Sequence, residues 1–194
     1  MYKHVIRVMA SFFMAIIMGV FMDHTDVQAG NFQQPASSDR PVVHLHLASG
    51  IVKIAMRPDL APNHVARIQE LIKSKFYDGV VFHRVIAGFM AQTGDPTGTG
   101  TGGSGQKLKA EFSKHPHSRG VVSMARAQSP DSADSQFFIV LADSHYLDGQ
   151  YTVWGEVLEG MEHVDAIKKG SSLNNGTVKD PDSIIRMVMA EDDR

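Results

Sequence analysis

Arg84, Phe89, Met90 and Gln92 fall within nine residues of one another, inside the stretch from Phe76 to Gln92. Gln136 and Phe138 follow in a second stretch, Ser135-Gln136-Phe137-Phe138-Ile139. Together they offer one guanidinium, two amides, a thioether and aromatic rings. A guanidinium is permanently charged, planar and donor-only, whereas amides both donate and accept. Rings and thioether supply an apolar wall. The combination suits an apolar five-membered ring held beside polarised amide groups. Taken singly, each residue also fits a half-exposed sheet face with a stray arginine; the spacing over both stretches favours the first reading.

The elements that must position these groups are strands. Val80 to Ile86 is β-branched and aromatic, and reads as a strand. Side chains alternate along it, so His83 and Arg84 leave on opposite faces. Ala87-Gly88 permits a bend, and Phe89 to Gln92 starts a second extended run with Met90 and Gln92 on one face. Gln136 and Phe138 likewise share a face, opposite Phe137 and Ile139. The picture is a sheet with one apolar core side and one side carrying the mixed polar and aromatic set.

The other segments supply more strands and two helices. Val42 to Leu47 and Ile51 to Met56, joined through Ser49-Gly50, read as a hairpin. His44 and His46 share a face there; without a third ligand in register they read as a solvent-facing polar alternation, and no metal site is expected. Pro62 suits a first helical turn, and Val65, Ile68, Leu71 and Ile72 follow the helical period. Val121 to Ala125, Gln136 to Leu141, Tyr151 to Val157 and Ser183 to Met189 read as further strands. Met161, Val164 and Ile167 mark a second helix, with Lys168 and Lys169 at its end and Gly170 as its cap. Strands in series, rather than alternating with helices, favour an antiparallel barrel or sandwich.

Two chemistries fail on context. Gly98, Gly100 and Gly103 match a dinucleotide fingerprint on paper, but Gln106 to Glu111 is a poor βαβ helix, and Gln106 stands where a phosphate-binding loop needs lysine. The loop reads instead as backbone lying flat beside a bound peptide. Asp143-Ser144-His145 holds hydrolase residue types, but adjacent residues do not make a relay, and the segment reads as a turn.

The chain has 194 residues, a net charge of −2 and no cysteine. That balance gives no electrostatic footprint for nucleic acid, and excludes disulfides and thiolate chemistry. Lys3, His4 and Arg7 precede an apolar run from Val8 to Met22, and Val27-Gln28-Ala29 supplies small residues for cleavage. This is the layout of a secretory signal peptide, residues 1–29. The competing reading, an uncleaved anchor, asks for about 20 apolar residues, and the run is short for it. Residues 30–40 read as a polar, flexible leader, and residues 41–194 as the folded domain.

With these motifs in place, the chain resembles the cyclophilin family of peptidyl-prolyl cis-trans isomerases. The resemblance rests on Phe82-His83-Arg84-Val85-Ile86, Gly88-Phe89-Met90-x-Gln92-x-Gly94-Asp95, Gly100-Thr101-Gly102-Gly103, Ser123-Met124-Ala125, Ser135 to Ile139, and Leu147-Asp148-Gly149. It runs from Val42 to Met189. It implies an all-β fold: a closed eight-stranded antiparallel β-barrel capped by two α-helices. It also implies rotation about X-Pro peptide bonds without a cofactor.

By position, Arg84 resembles the catalytic arginine, with Phe89 and Gln92 completing the catalytic set. Phe89, Met90, Phe138 and Leu147 resemble the pocket for the proline ring. Gln136 and the segment Ala125, Arg126 and Ala127 resemble the groove floor, and Gly100 its rim. Tyr146 stands where many eukaryotic members carry tryptophan, Tyr151 where they carry histidine, and Arg126 where they carry asparagine; these changes resemble bacterial members. The expected partners are proline-containing segments of folding proteins, met by a monomer in the periplasm after the signal is removed, without stable membrane association. A peptide-binding module without turnover is the rival, and Arg84 speaks against it because a pure binder has no need of it.

Overall fold

The computed structural model describes residues 40–194. The expected signal peptide, and all but the last residue of the expected leader, lie outside the described residues. Eight strands form in chain order: β1 (Val42–Leu47), β2 (Gly50–Met56), β3 (Arg84–Ile86), β4 (Met90–Thr93), β5 (Val121–Met124), β6 (Phe137–Val140), β7 (Val153–Glu159) and β8 (Arg186–Met189). Helix α1 (Pro62–Lys73) follows β2, and α2 (Met161–Ala166) follows β7. The fold is therefore mostly β, with two α-helices.

Alternation decides which way each strand faces. In β1, Val43, Leu45 and Leu47 are buried while His44 and His46 stay half-buried on the other face. The β1–β2 hairpin pairs Leu47 with Gly50, so Ala48-Ser49 makes the turn. Helix α1 turns Val65, Ile68, Leu71 and Ile72 inward and packs on β7 and β8, while α2 packs on β2. No side chain at Ala61 caps α1. Instead the Glu111 carboxylate accepts from the amides of Asn63 (3.2 Å) and His64 (3.0 Å), placing a negative charge at the positive end of the helix dipole. The core holds an aromatic stack in which Phe137 meets Tyr77 and Trp154 edge to face, with centroids 5.5 and 5.4 Å apart.

The sheet is not the closed barrel expected from the sequence. Its strand order is β3-β4-β6-β5-β7-β2-β1-β8, all antiparallel, and it curls into an open half-barrel with no ladder between β3 and β8. The reason lies at β3, which is shorter than the expected Val80–Ile86. Irregular chain takes up its outer edge: the Val85 amide donates to Gly176 O (2.8 Å), and the amides of Gly170 and Val178 donate to Val85 O (2.9 Å) and His83 O (3.1 Å). Only isolated bridges, Val81 with Ser183 and Arg84 with Thr177, span the gap.

Gly170 also corrects the expected helix end. Helix α2 stops at Ala166, Ile167 is already extended (φ −55°, ψ 134°), and Gly170 caps nothing. A Cβ at Gly170 would lie 2.0 Å from Gly176 O, so glycine is required there for two backbones to touch.

Phe137 is fully buried in the stack. Phe137→Ala should cost about 3–5 kcal/mol of unfolding free energy by urea titration; a loss below about 1 kcal/mol would show that the stack does not hold the core.

Candidate active site

The register of the sheet lines up the candidate residues. Arg84 faces Gln92 across β3–β4, Gln92 faces Phe138 across β4–β6, and Phe138 faces Ser123 across β6–β5. Residues opposite one another share a face, so Arg84, Gln92 and Phe138 form one row, with Met90 two residues from Gln92 on the same side. Phe137 and Ile139 point into the main core, while Met90, Phe138, Val140 and Leu147 build a second apolar cluster on the other face. The two-faced sheet expected from the alternation is what forms.

A polar chain runs along the row. Arg84 Nη1 donates to Gln92 Oε1 (3.1 Å). Gln92 Nε2 donates to Gln136 Oε1 (2.9 Å), and Gln136 Nε2 donates to the carbonyls of Gly100 (3.1 Å) and Gly102 (2.8 Å). The other side of the guanidinium is held by Asn175: Arg84 Nε donates to its carbonyl and Nη2 to its side-chain Oδ1, both at 3.0 Å. Arg84 is half-buried, and burial pulls its guanidinium down from the ordinary value while the Tyr151 and Tyr146 phenols oppose this. Arginine stays protonated throughout.

Beside the guanidinium lies a pocket of about 100 Å³ between Phe89, Met90, Phe138, Leu147 and Tyr151. Arg84 Nη1 sits 4.0 Å from Met90 Sδ on its wall. A wider groove of about 440 Å³ continues from it past Gln136 and Ala127 to the glycine loop. Gln92, Ala125 and Arg126 line both. The Arg126 guanidinium lies over the Tyr151 ring at 4.7 Å and donates to Gln150 O (3.1 Å), which fixes it at the junction. Tyr146 stands on the rim, largely exposed, with its ring 5.8 Å from that of Phe89. Every candidate site residue from the sequence thus falls in or beside one continuous surface feature.

Three supports were not foreseen from sequence. Asn175 was legible only as part of an Asn-Gly turn, in which it takes a left-handed conformation (φ 50°). His117 stacks behind Phe138 at 6.4 Å and is fixed by Asp148 (2.9 Å) and Ser123 (3.0 Å). Burial pushes this imidazole down, with Asp148 opposing. Ser123, His117 and Asp148 are the types of a hydrolase relay, but Ser123 is fully buried. The trio braces Phe138 and presents no nucleophile.

The third support is Asp95, which organises the glycine loop. Its carboxylate accepts from Thr97 N (2.7 Å), Thr97 Oγ1 (2.8 Å), Gly100 N (2.6 Å) and Gly102 N (3.1 Å). The last two amides belong to the residues whose carbonyls hold Gln136. Burial alone would push the Asp95 carboxyl up; the hydrogen bonds from Thr97, Gly102 and Gly100 outweigh it and hold it at about 2.

Comparison with known proteins places this surface in context. The family model for cyclophilin type peptidyl-prolyl cis-trans isomerase/CLD matches residues 42–189. A relative from Brucella suis biovar 1 (strain 1330), named a probable peptidyl-prolyl cis-trans isomerase, is 52% identical over 173 residues, covering 82% of this chain and 88% of the relative. A crystal structure of a Cryptosporidium parvum cyclophilin type peptidyl-prolyl cis-trans isomerase superposes with a TM-score of 0.71 at 29% identity, covering 77% of this chain and 97% of that one. A structure of the same parasite protein in the presence of the dipeptide Ala-Pro gives a TM-score of 0.70 at 30% identity, covering 76% and 98%.

The Asp95 carboxyl, lowered to about 2 from an unfolded value of about 3.9, stabilises the fold above that unfolded value. The contribution, about 2.5 kcal/mol, is lost as pH falls from about 4 through 2. Asp95→Asn should therefore lower the unfolding free energy by about that amount at pH 7, and the gap to the wild type should narrow over that acid window. A gap that stays constant from pH 7 to 2 would show that the charge is not what holds the loop.

Proposed function

The chain belongs to the cyclophilin-type peptidyl-prolyl cis-trans isomerases, and from that premise we propose that it turns X-Pro bonds in unfolded segments of cell-envelope proteins, with Arg84 as its catalytic group. Isomerase activity follows from the family. The assignment of residues and the cellular setting are our reading.

The observation that carries the reading is the guanidinium of Arg84, fixed by Gln92 on one side and Asn175 on the other, at the wall of an apolar pocket. Rotation about X-Pro is slow because amide resonance must be broken, with a barrier of about 18–20 kcal/mol. In the twisted state the proline nitrogen becomes pyramidal and gains a lone pair. A fixed donor aimed at that nitrogen binds the twisted form more tightly than either planar form, and only such differential binding accelerates the step. Phe89, Met90, Phe138 and Leu147 would hold the proline ring. Gln92 and Gln136 would present amides to the substrate backbone, and Ala125, Arg126, Ala127 and Gly100 would border the residues before proline, with Tyr146 and Tyr151 at the rim. No step requires a metal, a nucleophile or an acid–base pair.

The setting rests on the N-terminal layout of basic, apolar and small residues. After cleavage behind Ala29, the chain would act as a monomer in the periplasm on proline-containing stretches of proteins still folding, where a slow X-Pro step limits the rate. Cell fractionation tests this: a chain beginning at Gly30 is expected in the periplasmic fraction, and full-length chain in the cytosol would overturn the placement.

Turnover of an X-Pro tetrapeptide tests the chemistry. Arg84→Ala should keep the fold and lose about 10²–10³ in rate, by analogy with removing one preorganised donor. Near-normal turnover would sink the assignment, and no turnover by the folded wild type would leave a peptide binder. The wild-type rate should vary by less than about twofold from pH 6 to 9, because arginine does not titrate there; a steep pH profile with an intact fold would point to an acid–base group instead.

A further inference from the structure

Away from the groove, on the next-to-last strand of the sheet, His44 and His46 leave β1 on one face. The chain after β8 makes a short 3-10 turn, Ala190–Asp192, and the next residue, Asp193, comes to lie over both histidines. Its Oδ2 is 2.6 Å from His44 Nδ1 and 3.0 Å from His46 Nε2. The three donor atoms all lie within 4.8 Å of one another. The side chains are largely shielded, with relative exposures of 19%, 16% and 9% for His44, His46 and Asp193. Isomerisation uses none of them. The third ligand that the two histidines lack in sequence is supplied from the far end of the domain.

We propose that His44, His46 and Asp193 form a binding site for a divalent transition ion, with Zn²⁺ as the reference ion. Two imidazole nitrogens and one carboxylate oxygen make a borderline donor set of the kind Zn²⁺ takes, and solvent completes the tetrahedron. Donors at about 2.0–2.1 Å from a tetrahedral ion stand about 3.3 Å apart. The observed 2.6 and 3.0 Å separations therefore need to open by about 0.7 and 0.3 Å, a shift of the Asp193 carboxylate of less than one ångström. The second carboxylate oxygen, Oδ1, is taken by Arg186, which faces His46 across the β1–β8 ladder. That contact leaves Oδ2 aimed at the histidines and fixes the carboxylate, as outer hydrogen bonds do around metal ligands. The Arg186 charge opposes the cation, but its side chain is 41% exposed and the repulsion is screened by solvent. The site therefore binds in the micromolar range rather than the nanomolar one. Hard ions such as Mg²⁺, which want octahedral oxygen ligands, are excluded.

The bound ion ties the end of the chain to β1. It should stabilise the fold without touching the groove, which lies on β3, β4, β6 and β5.

The test is a calorimetric Zn²⁺ titration of the tag-free protein, paired with thermal melts and tetrapeptide turnover. One equivalent should bind with a dissociation constant of about 10 μM or tighter, and about 100 μM Zn²⁺ should raise the melting temperature by roughly 3–6 °C. Turnover should change by less than about twofold. His46→Ala and Asp193→Asn should each weaken binding by at least about tenfold. Should a variant fold poorly, Cu²⁺ added to the wild type provides the second readout: selective broadening of NMR signals from β1 and the C-terminal turn supports the site, since Cu²⁺ competes for the same donors. Absence of stoichiometric binding, binding undiminished in the variants, or broadening confined to other histidines would overturn the proposal.

Discussion

Arginine donates and never accepts, and that asymmetry orders the whole groove. Because the Arg84 guanidinium has only N–H groups to offer, the Gln92 side chain must turn its oxygen toward it. The Gln92 nitrogen then faces Gln136, which must also present its oxygen, and the Gln136 nitrogen is left for the carbonyls of Gly100 and Gly102. Two amides that could each have pointed either way are set by one fixed charge at the end of the row. The chain ends on backbone that Asp95 holds from beneath through the amides of the same two glycines. A buried anion and a half-buried cation thus bracket a directional run of neutral groups that passes from β3 and β4 through the residue before β6 to a loop.

The sheet makes this possible by keeping its two faces chemically separate. Along β6, Phe137 and Ile139 enter a dry core with Trp154 and Tyr77, while Phe138 and Val140 belong to the groove cluster. One residue of slip would exchange the two sets, so the packing of the core also fixes the register that lines up Arg84, Gln92 and Phe138. The groove is stiff for the same reason. Phe138 rests on an imidazole whose two nitrogens face a carboxylate and a hydroxyl, and cannot sink into the sheet.

Much of this was legible in the sequence because alternation is local. The period of two in Val42–Leu47 and in Ser135–Ile139 assigns faces without knowledge of partners. The clustering of Arg84, Phe89, Met90 and Gln92 marks the site, since two adjacent strands and the turn between them carry all four. What was illegible depended on long-range meetings. Gly170 reads as a helix cap because lysines precede it, yet its role is set by Gly176, which it touches through backbone. Asn175 reads as a turn residue, and nothing in its neighbourhood announces Arg84, 91 residues earlier. The open edge of the sheet was missed for a related reason: strands in series favour a barrel or a sandwich and the resemblance implies closure, but irregular chain takes up the outer edge of β3. His44 and His46 were readable as a pair, while Asp193, 149 residues from His44, was not.

The seal along β3 and the clamp on Arg84 are made by the same few residues. Gly176 accepts from the Val85 amide, Thr177 bridges Arg84, and Asn175 holds the guanidinium. Local opening of that segment would free the strand edge and the proposed catalytic group in a single event. Hydrogen exchange at the Val85 amide would therefore act as a clock for how often the clamp on Arg84 opens, so that one edge contact reports on the strand and the guanidinium together.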